Sequence, residues 1–263
     1  MTRLAQKFVE LKKKKRIAFM PFLVAGDPDF KTSIEIGKLF ATRADILEIG
    51  FPYSDPLADG PTIQAADNRA LASGINVRRV FKLIKKIRSR SSIPISVLVY
   101  ANLVYQRGIE RFYREARNAG VDGVLIPDVP IEEAEPFIKA ARKAGIDPIF
   151  LVTQTTTPTR LKKIVASASG YLYLVSVLGV TGARRTLSRD TEKLIRRVKK
   201  NTSLPLAVGF GISTRGHIVK LKEAKADGTI IGSSLVKIIE KNKNNRKKLL
   251  KELKEHVERL QVD

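Results

Sequence analysis

The chain has 263 residues, a formal net charge of +23, 43% hydrophobic residues and no cysteine. That length suits a single α/β barrel with a full core. The missing cysteines exclude disulfides, thiolate metal sites and cysteine nucleophiles, and no apolar run approaches the roughly 18 residues that span a bilayer.

The opening MTRLAQKFVELKKKKR is basic but has no apolar stretch before a small-residue cleavage site, so it does not read as a secretory signal. The expected compartment is the cytoplasm. His217 and His256 are the only histidines, and they stand far apart in polar, basic surroundings. This argues against a Ser-His-Asp triad and against a histidine zinc site. The positive charge is spread along the chain and lacks interleaved aromatics, so it reads as solvated helix faces rather than a nucleic-acid site. Two methionines and many lysines and arginines fit a heat-adapted protein.

In chain order, LAQKFVELKKK predicts an extra helix ahead of the first strand. Eight short apolar, β-branched runs follow: 17–24, 45–50, 95–101, 122–128, 148–153, 171–176, 206–211 and 228–232. Their near-continuous apolarity suits strands buried on both faces. Amphipathic stretches lie between them, among them IERFYREARNAG and EEAEPFIKAARKAG, each closed by an Ala-Gly helix stop. Alternation of this kind predicts eight βα units closed into a (β/α)₈ barrel, one domain over 1–263. An open doubly wound sheet is the alternative, but no G-x-G-x-x-G follows the first strand. At the end, Leu249, Leu250, Leu253, Val257 and Leu260 share one face of a last helix, expected to pack on the barrel exterior.

One charge breaks the apolar runs. Glu48 sits within Ile46-Leu47-Glu48-Ile49, and strand parity puts Ile46, Glu48 and Gly50 on one face. If that face is the lumen, the carboxylate loses water and its pKa rises, which suits a general acid/base near neutrality. A structural salt bridge is the plainer reading. However, no lysine or arginine occurs in the other seven strand cores. The loop beyond, FPYSDPLADGPT, carries Asp55 and Asp59; loop carboxylates are usually helix caps, and Asp59, before Gly-Pro, could be one. Glycine-bearing turns follow three late strands: GVTG (179–182), GFG (209–211) and GSS (232–234). Each lets backbone N–H groups approach an anion, and phosphates bind at such strand ends in barrels.

The run LEIGFPYSDPLADGPTIQ resembles the signature of the tryptophan synthase alpha subunit family. PFLVAGDPDF, YANLVYQRGIERFY, DGVLIPDVP, SVLGVTGAR, GFGIST and IIGSSLVKIIEK extend the likeness along almost the whole chain. The resemblance implies a retro-aldol lyase that cleaves indole-3-glycerol phosphate to indole and glyceraldehyde 3-phosphate. It assigns Glu48 to proton transfer, Asp59 to the indole N–H, and Tyr173 to a lesser part, its hydroxyl reaching the site. Gly182, Gly211, Gly232 and Ser233 would hold the phosphate. Phe22, Leu98, Tyr100, Leu125, Leu151, Thr181 and Phe210 would line the indole slot. The family uses no cofactor of its own. Its beta partner carries pyridoxal phosphate, and the two assemble as αββα. Docking falls to loop two (Pro52 and Asp55), to Asn102–Arg107 and to Pro130, with 180–187 as a lid.

Two features depart from the family pattern. LVTQTTTP stands where an Ala-Pro-Thr type of sequence is usual, so Thr153-Gln154 could alter one wall or the loop beyond it, and the chain is unusually basic. Three functions compete on sequence: this enzyme, an allied lyase that works without a partner, and a polyanion-binding barrel that has lost catalysis.

Overall fold

The structure, a computed structural model, describes residues 1–175, 189–209 and 211–262. Its centre is a closed barrel of parallel strands in sequential order: β1 (Ala18–Val24), β2 (Leu47–Gly50), β3 (Ile95–Leu98), β4 (Gly123–Leu125), β5 (Asp147–Val152), β6 (Leu172–Val175), β7 (Leu206–Gly209) and β8 (Gly228–Ile231). Pairing of β1 with β8 closes the ring, with Ala18 opposite Gly228 and Met20 opposite Ile230. The (β/α)₈ expectation is met. Several strands are shorter than the apolar runs implied. β3 stops at Leu98 because Tyr100 already caps a helix, α5 (Ala101–Arg107), and β4 stops at Leu125 ahead of Pro127.

Helices follow the strands on the outside. Those that bear on the site are α2 (Phe30–Ala41), α3 (Pro61–Ala72), α4 (Val77–Arg88), α10 (Arg215–Glu223), α11 (Ser233–Asn242) and α12 (Arg246–Leu260). α6 (Ile109–Ala119) and α7 (Glu135–Ala144) end at Gly120 and Gly145, both left-handed, as the Ala-Gly stops require. α7 starts later than its charge pattern suggests, with Pro136 in its first turn. The last helix, α12, buries Leu249, Leu253, Val257 and Leu260 against α11, α2 and α10. On α4 the cations Arg78, Lys82, Lys85 and Lys86 are exposed, as solvated faces should be.

The extra helix, α1 (Arg3–Lys13), floors the barrel. It buries Leu4, Phe8 and Leu11. A Cβ on Gly123 of β4 would meet the Leu4 side chain at 2.8 Å, and the Phe8 ring lies 5.8 Å from that of Tyr171. Arg3 pins the helix to the buried Asp122 carboxylate at 2.8 Å, whose other oxygen takes Arg88 at 2.9 Å and the Ile95 amide at 2.9 Å. The lumen is therefore closed at the N-terminal ends of the strands and open at the C-terminal ends.

Candidate active site

Register fixes what faces the lumen. Phe22 stands opposite Glu48, Glu48 opposite Ser96, Gly50 opposite Leu98, and Leu98 opposite Leu125. Partners across a parallel ladder share a face. Glu48 is accordingly inside the barrel and 1% exposed. No cation meets it. Its Oε1 instead accepts a hydrogen bond from the Tyr171 hydroxyl at 3.3 Å, and that hydroxyl also lies 3.1 Å from Ser96 Oγ. Oε2 is buried with no hydrogen-bond partner among the described residues. Burial pushes the Glu48 carboxyl up to about 8; Tyr171 partly opposes this, and the nearby Asp59 charge adds to it. The desolvated acid expected on the second strand is present.

Asp59 lies on the loop between β2 and α3, just before Gly60 caps the helix. It does not cap α3 with its side chain; its Oδ2 accepts from the Tyr100 hydroxyl at 2.8 Å. That hydroxyl in turn accepts from the Ala58 amide at 3.1 Å, and the Tyr100 ring stacks on Tyr53 at 4.9 Å. Burial raises the Asp59 carboxyl, and the donation from Tyr100 works against the rise.

One cavity joins these groups. It has a volume of about 460 Å³ including its open mouth and is lined by Phe22, Glu48, Asp59, Ile63, Leu98, Tyr173, Gly211, Ile212, Ile230, Gly232 and Ser233. Two carboxylates and an apolar slot thus meet at the strand ends, with glycine turns on the rim. The rim has a physical capacity for anions. α11 has no side-chain N-cap, and its first intrahelical bonds run from Leu235 and Val236 to the Gly232 carbonyl. The N–H groups of Ser233 and Ser234 make no hydrogen bond to a described residue. Free amides at a helix N-terminus attract negative charge.

The other expected residues divide. Tyr173 lines the cavity and is raised well above its usual range by burial, with the Glu48 charge adding to the shift. Tyr100 sits behind Asp59 rather than on the wall. Leu125 faces the lumen by register but lies outside the cavity lining. Leu151 is opposite Tyr173 in the ladder, yet it lines a separate depression between the β4 and β5 loops with Ile126 and Arg160. Thr153 borders that same depression. Its carbonyl and that of Gln154 accept from Arg197, so this departure changes the neighbouring depression and not the cavity wall. Thr181, Gly182 and Phe210, with the 180–187 lid, lie outside the described residues.

Sequence reasoning missed several neighbours. Ile63, Ile212 and Ile230 complete the wall. Tyr171, which donates to Glu48, shares the strand face of Tyr173 by parity, but its meeting with Glu48 and with Ser96, the partner of Glu48 across the ladder, depends on the register between strands. Asp67 on α3 carried no such signal. It is 3% exposed, and burial, followed by the charges of Asp59 and Asp27, pushes it up to about 8. Asp27 itself is neutralised by a two-pronged pairing with Arg69 at 2.9 and 3.0 Å.

Gly209 sets the position of Tyr173. A Cβ there would lie 2.2 Å from the Tyr173 hydroxyl and 2.5 Å from the ring. The clash reaches ring carbons as well as the hydroxyl, so the whole ring would have to move. Gly209→Ala is expected to destabilise the barrel by about 1–3 kcal/mol and to lower activity by displacing Tyr173. Urea denaturation and steady-state kinetics on the same preparation check both parts.

Comparison with known proteins agrees with this geometry. The family model described as tryptophan synthase alpha chain matches residues 8–263. The tryptophan synthase alpha chain of Methanoregula boonei is 53% identical over 246 residues, covering 93% of each chain. That of Methanothermobacter thermautotrophicus is 50% identical, covering 90% of this chain and 88% of its own. Among solved structures, the tryptophan synthase α2β2 complex of Pyrococcus furiosus contains a chain with a TM-score of 0.88 and 40% identity, covering 92% of this chain and 97% of that one. The chain belongs to the tryptophan synthase alpha chain family, and it is a lyase that cleaves indole-3-glycerol phosphate in tryptophan biosynthesis.

Proposed function

We propose that Glu48 and Asp59 divide the retro-aldol chemistry between them. The observation that carries the reading is their presence on one cavity wall, below a rim formed by Gly211, Gly232 and Ser233. Cleaving the bond between the indole ring and its side chain needs a proton on the ring carbon. Positive charge then develops at the ring N–H, and the ionised Asp59 stabilises it. The side-chain hydroxyl next to that bond gives up its proton as it becomes the carbonyl of glyceraldehyde 3-phosphate. Glu48 is the group that exchanges protons there, and a carboxyl raised to about 8 can both hold and release one near neutrality. Oε2 of Glu48, without a partner among the described residues, is the oxygen free for that exchange. The proton lost by the hydroxyl balances the one gained by the ring, so no external acid is consumed.

The remaining parts follow the same reading. Tyr173 contributes its hydroxyl to the site. Gly211, Gly232 and Ser233, with Gly182, hold the phosphate. Phe22, Leu98, Ile63, Ile212 and Ile230 clamp the indole. The whole chain, 1–263, acts as one barrel domain in the cytoplasm. No described helix is long and apolar enough to cross a membrane. No cofactor is used here, pyridoxal phosphate being carried by a beta chain that docks as αββα. Its docking face comprises loop two, Asn102–Arg107 and Pro130, where Leu57 and Tyr105 are exposed apolar side chains. The positive charge serves no specific nucleic acid.

Indole release from indole-3-glycerol phosphate, assayed with and without a beta subunit, tests the reading. Slow release by the isolated chain and acceleration by beta are expected. Equal rates would remove the partner coupling, and no indole under either condition would remove the catalytic assignment.

A further inference from the structure

His256 lies outside the cavity, yet it touches the element that forms the cavity's rim. It is half-buried on α12, and its Nε2 stands 3.2 Å from the hydroxyl of Ser234, the second residue of α11. On its other side, Arg259 reaches Nδ1 at 3.5 Å. A guanidinium can only donate, so Nδ1 is the acceptor and the ring proton sits on Nε2. Nε2–H therefore donates to Ser234 Oγ, and the Ser234 hydroxyl keeps its own proton for another acceptor. Burial and Arg259 both hold the imidazole below its usual range, so it is neutral at neutral pH.

We propose that His256 is a positioning residue for the substrate phosphate: by donating to the Ser234 hydroxyl it fixes the first turn of α11, so that the N–H groups of Ser233 and Ser234 are presented to the anion. The inference rests on the phosphate reading of the rim. It explains how a helix without a side-chain N-cap keeps its first turn in place. It also ties the C-terminal helix, remote from the chemistry, to substrate affinity.

The charged groups around His256 are otherwise occupied. On α12, Glu252 pairs with Lys248 and receives Asn242, Glu255 pairs with Lys251, and Glu258 pairs with Arg43. From α2, Glu35 pairs with Arg246, and from α10, Arg215 donates to the Gln261 carbonyl. On α11, Glu240 pairs with Arg69, while Lys237 and Lys241 are exposed. Arg259 is the charge that acts on the ring. Acidification through the imidazole's titration would place a second positive charge behind the rim.

The test uses the full-length, isotope-labelled chain and sulfate, which stays a dianion across the pH range. Sulfate should shift the backbone amides of Gly211, Gly232 and Ser233. His256→Phe, which keeps a ring but removes the donor, should weaken sulfate about three- to tenfold, the worth of one hydrogen bond. The same variant should raise KM for indole-3-glycerol phosphate by a similar factor with kcat unchanged. His256→Gln, which retains an N–H donor, should stay within about twofold of the parent. Lowering the pH from about 7.5 to 5.5 should tighten sulfate more in the parent than in His256→Gln; the Gln variant isolates the contributions of His217 and of Glu48 and Asp67, whose raised carboxyls also lose charge over that range. Unchanged sulfate affinity in His256→Phe, or an identical pH response in His256→Gln, overturns the inference and leaves the phosphate reading standing. Failure of sulfate to move the three rim amides in the parent overturns both.

Discussion

Replacing Glu48 with Gln is expected to lower kcat for indole release about 10²–10⁴-fold, the usual worth of a positioned acid/base, and at the same time to make the protein harder to unfold. The second effect follows from linkage. The folded-state carboxyl is raised to about 8 from an ordinary 4.5, so the folded protein binds this proton more tightly than the unfolded chain does. Ionising Glu48 therefore costs stability, with no penalty below about pH 4.5 and a growing one as the pH rises toward 8. Glutamine removes that penalty while its carbonyl still accepts from Tyr171. The gain should be near zero at pH 4.5 and on the order of a few kcal/mol at pH 8.5. Urea denaturation at both pH values measures it. A gain independent of pH would mean that dryness is not what perturbs the carboxyl, and full turnover by the variant would remove Glu48 from the proton path.

Asp59→Asn should cost about 10²–10³-fold in kcat, the range for removing one preorganised electrostatic contact, with a smaller gain in stability than Glu48→Gln, because burial raises this carboxyl too. The Tyr100 hydroxyl can still donate to an amide oxygen, so the loop keeps its anchor. What is lost is the negative charge that meets the ring N–H as it becomes positive, and the amide nitrogen would oppose one donor with another. Single-turnover kinetics separate this from weaker substrate binding. A variant with a raised KM and an intact kcat would assign Asp59 to ground-state binding alone.

The architecture was legible because a parallel barrel writes each strand as an apolar run and each helix stop as Ala-Gly. The strand ends were not, since Tyr100 and Pro127 belong to local turn chemistry that hydrophobicity does not record. Glu48 stood out as a lone charge in a dry run, and parity alone turned it inward. Its holders, Tyr171 and Ser96, required the register between strands far apart in sequence. Leu125 and Leu151 illustrate the converse: parity placed them inward, but depth along the strand decides which layer meets the cavity. Asp67 looked like an ordinary polar helix residue, and only the packing of α3 against α11 and β1 makes it a buried acid.

The floor made by α1 bears on all of this. A vessel stoppered at one end exchanges solvent only through its neck, so Glu48 stays dry when substrate fills the neck and the stopper holds. The stopper is an N-terminal segment anchored by Arg3 and seated by Leu4 and Phe8 beneath Tyr171. Trimming that segment would let water reach the acid from below and return it toward ordinary carboxylate strength. The proton affinity on which turnover depends is thus secured by side chains that never approach the substrate.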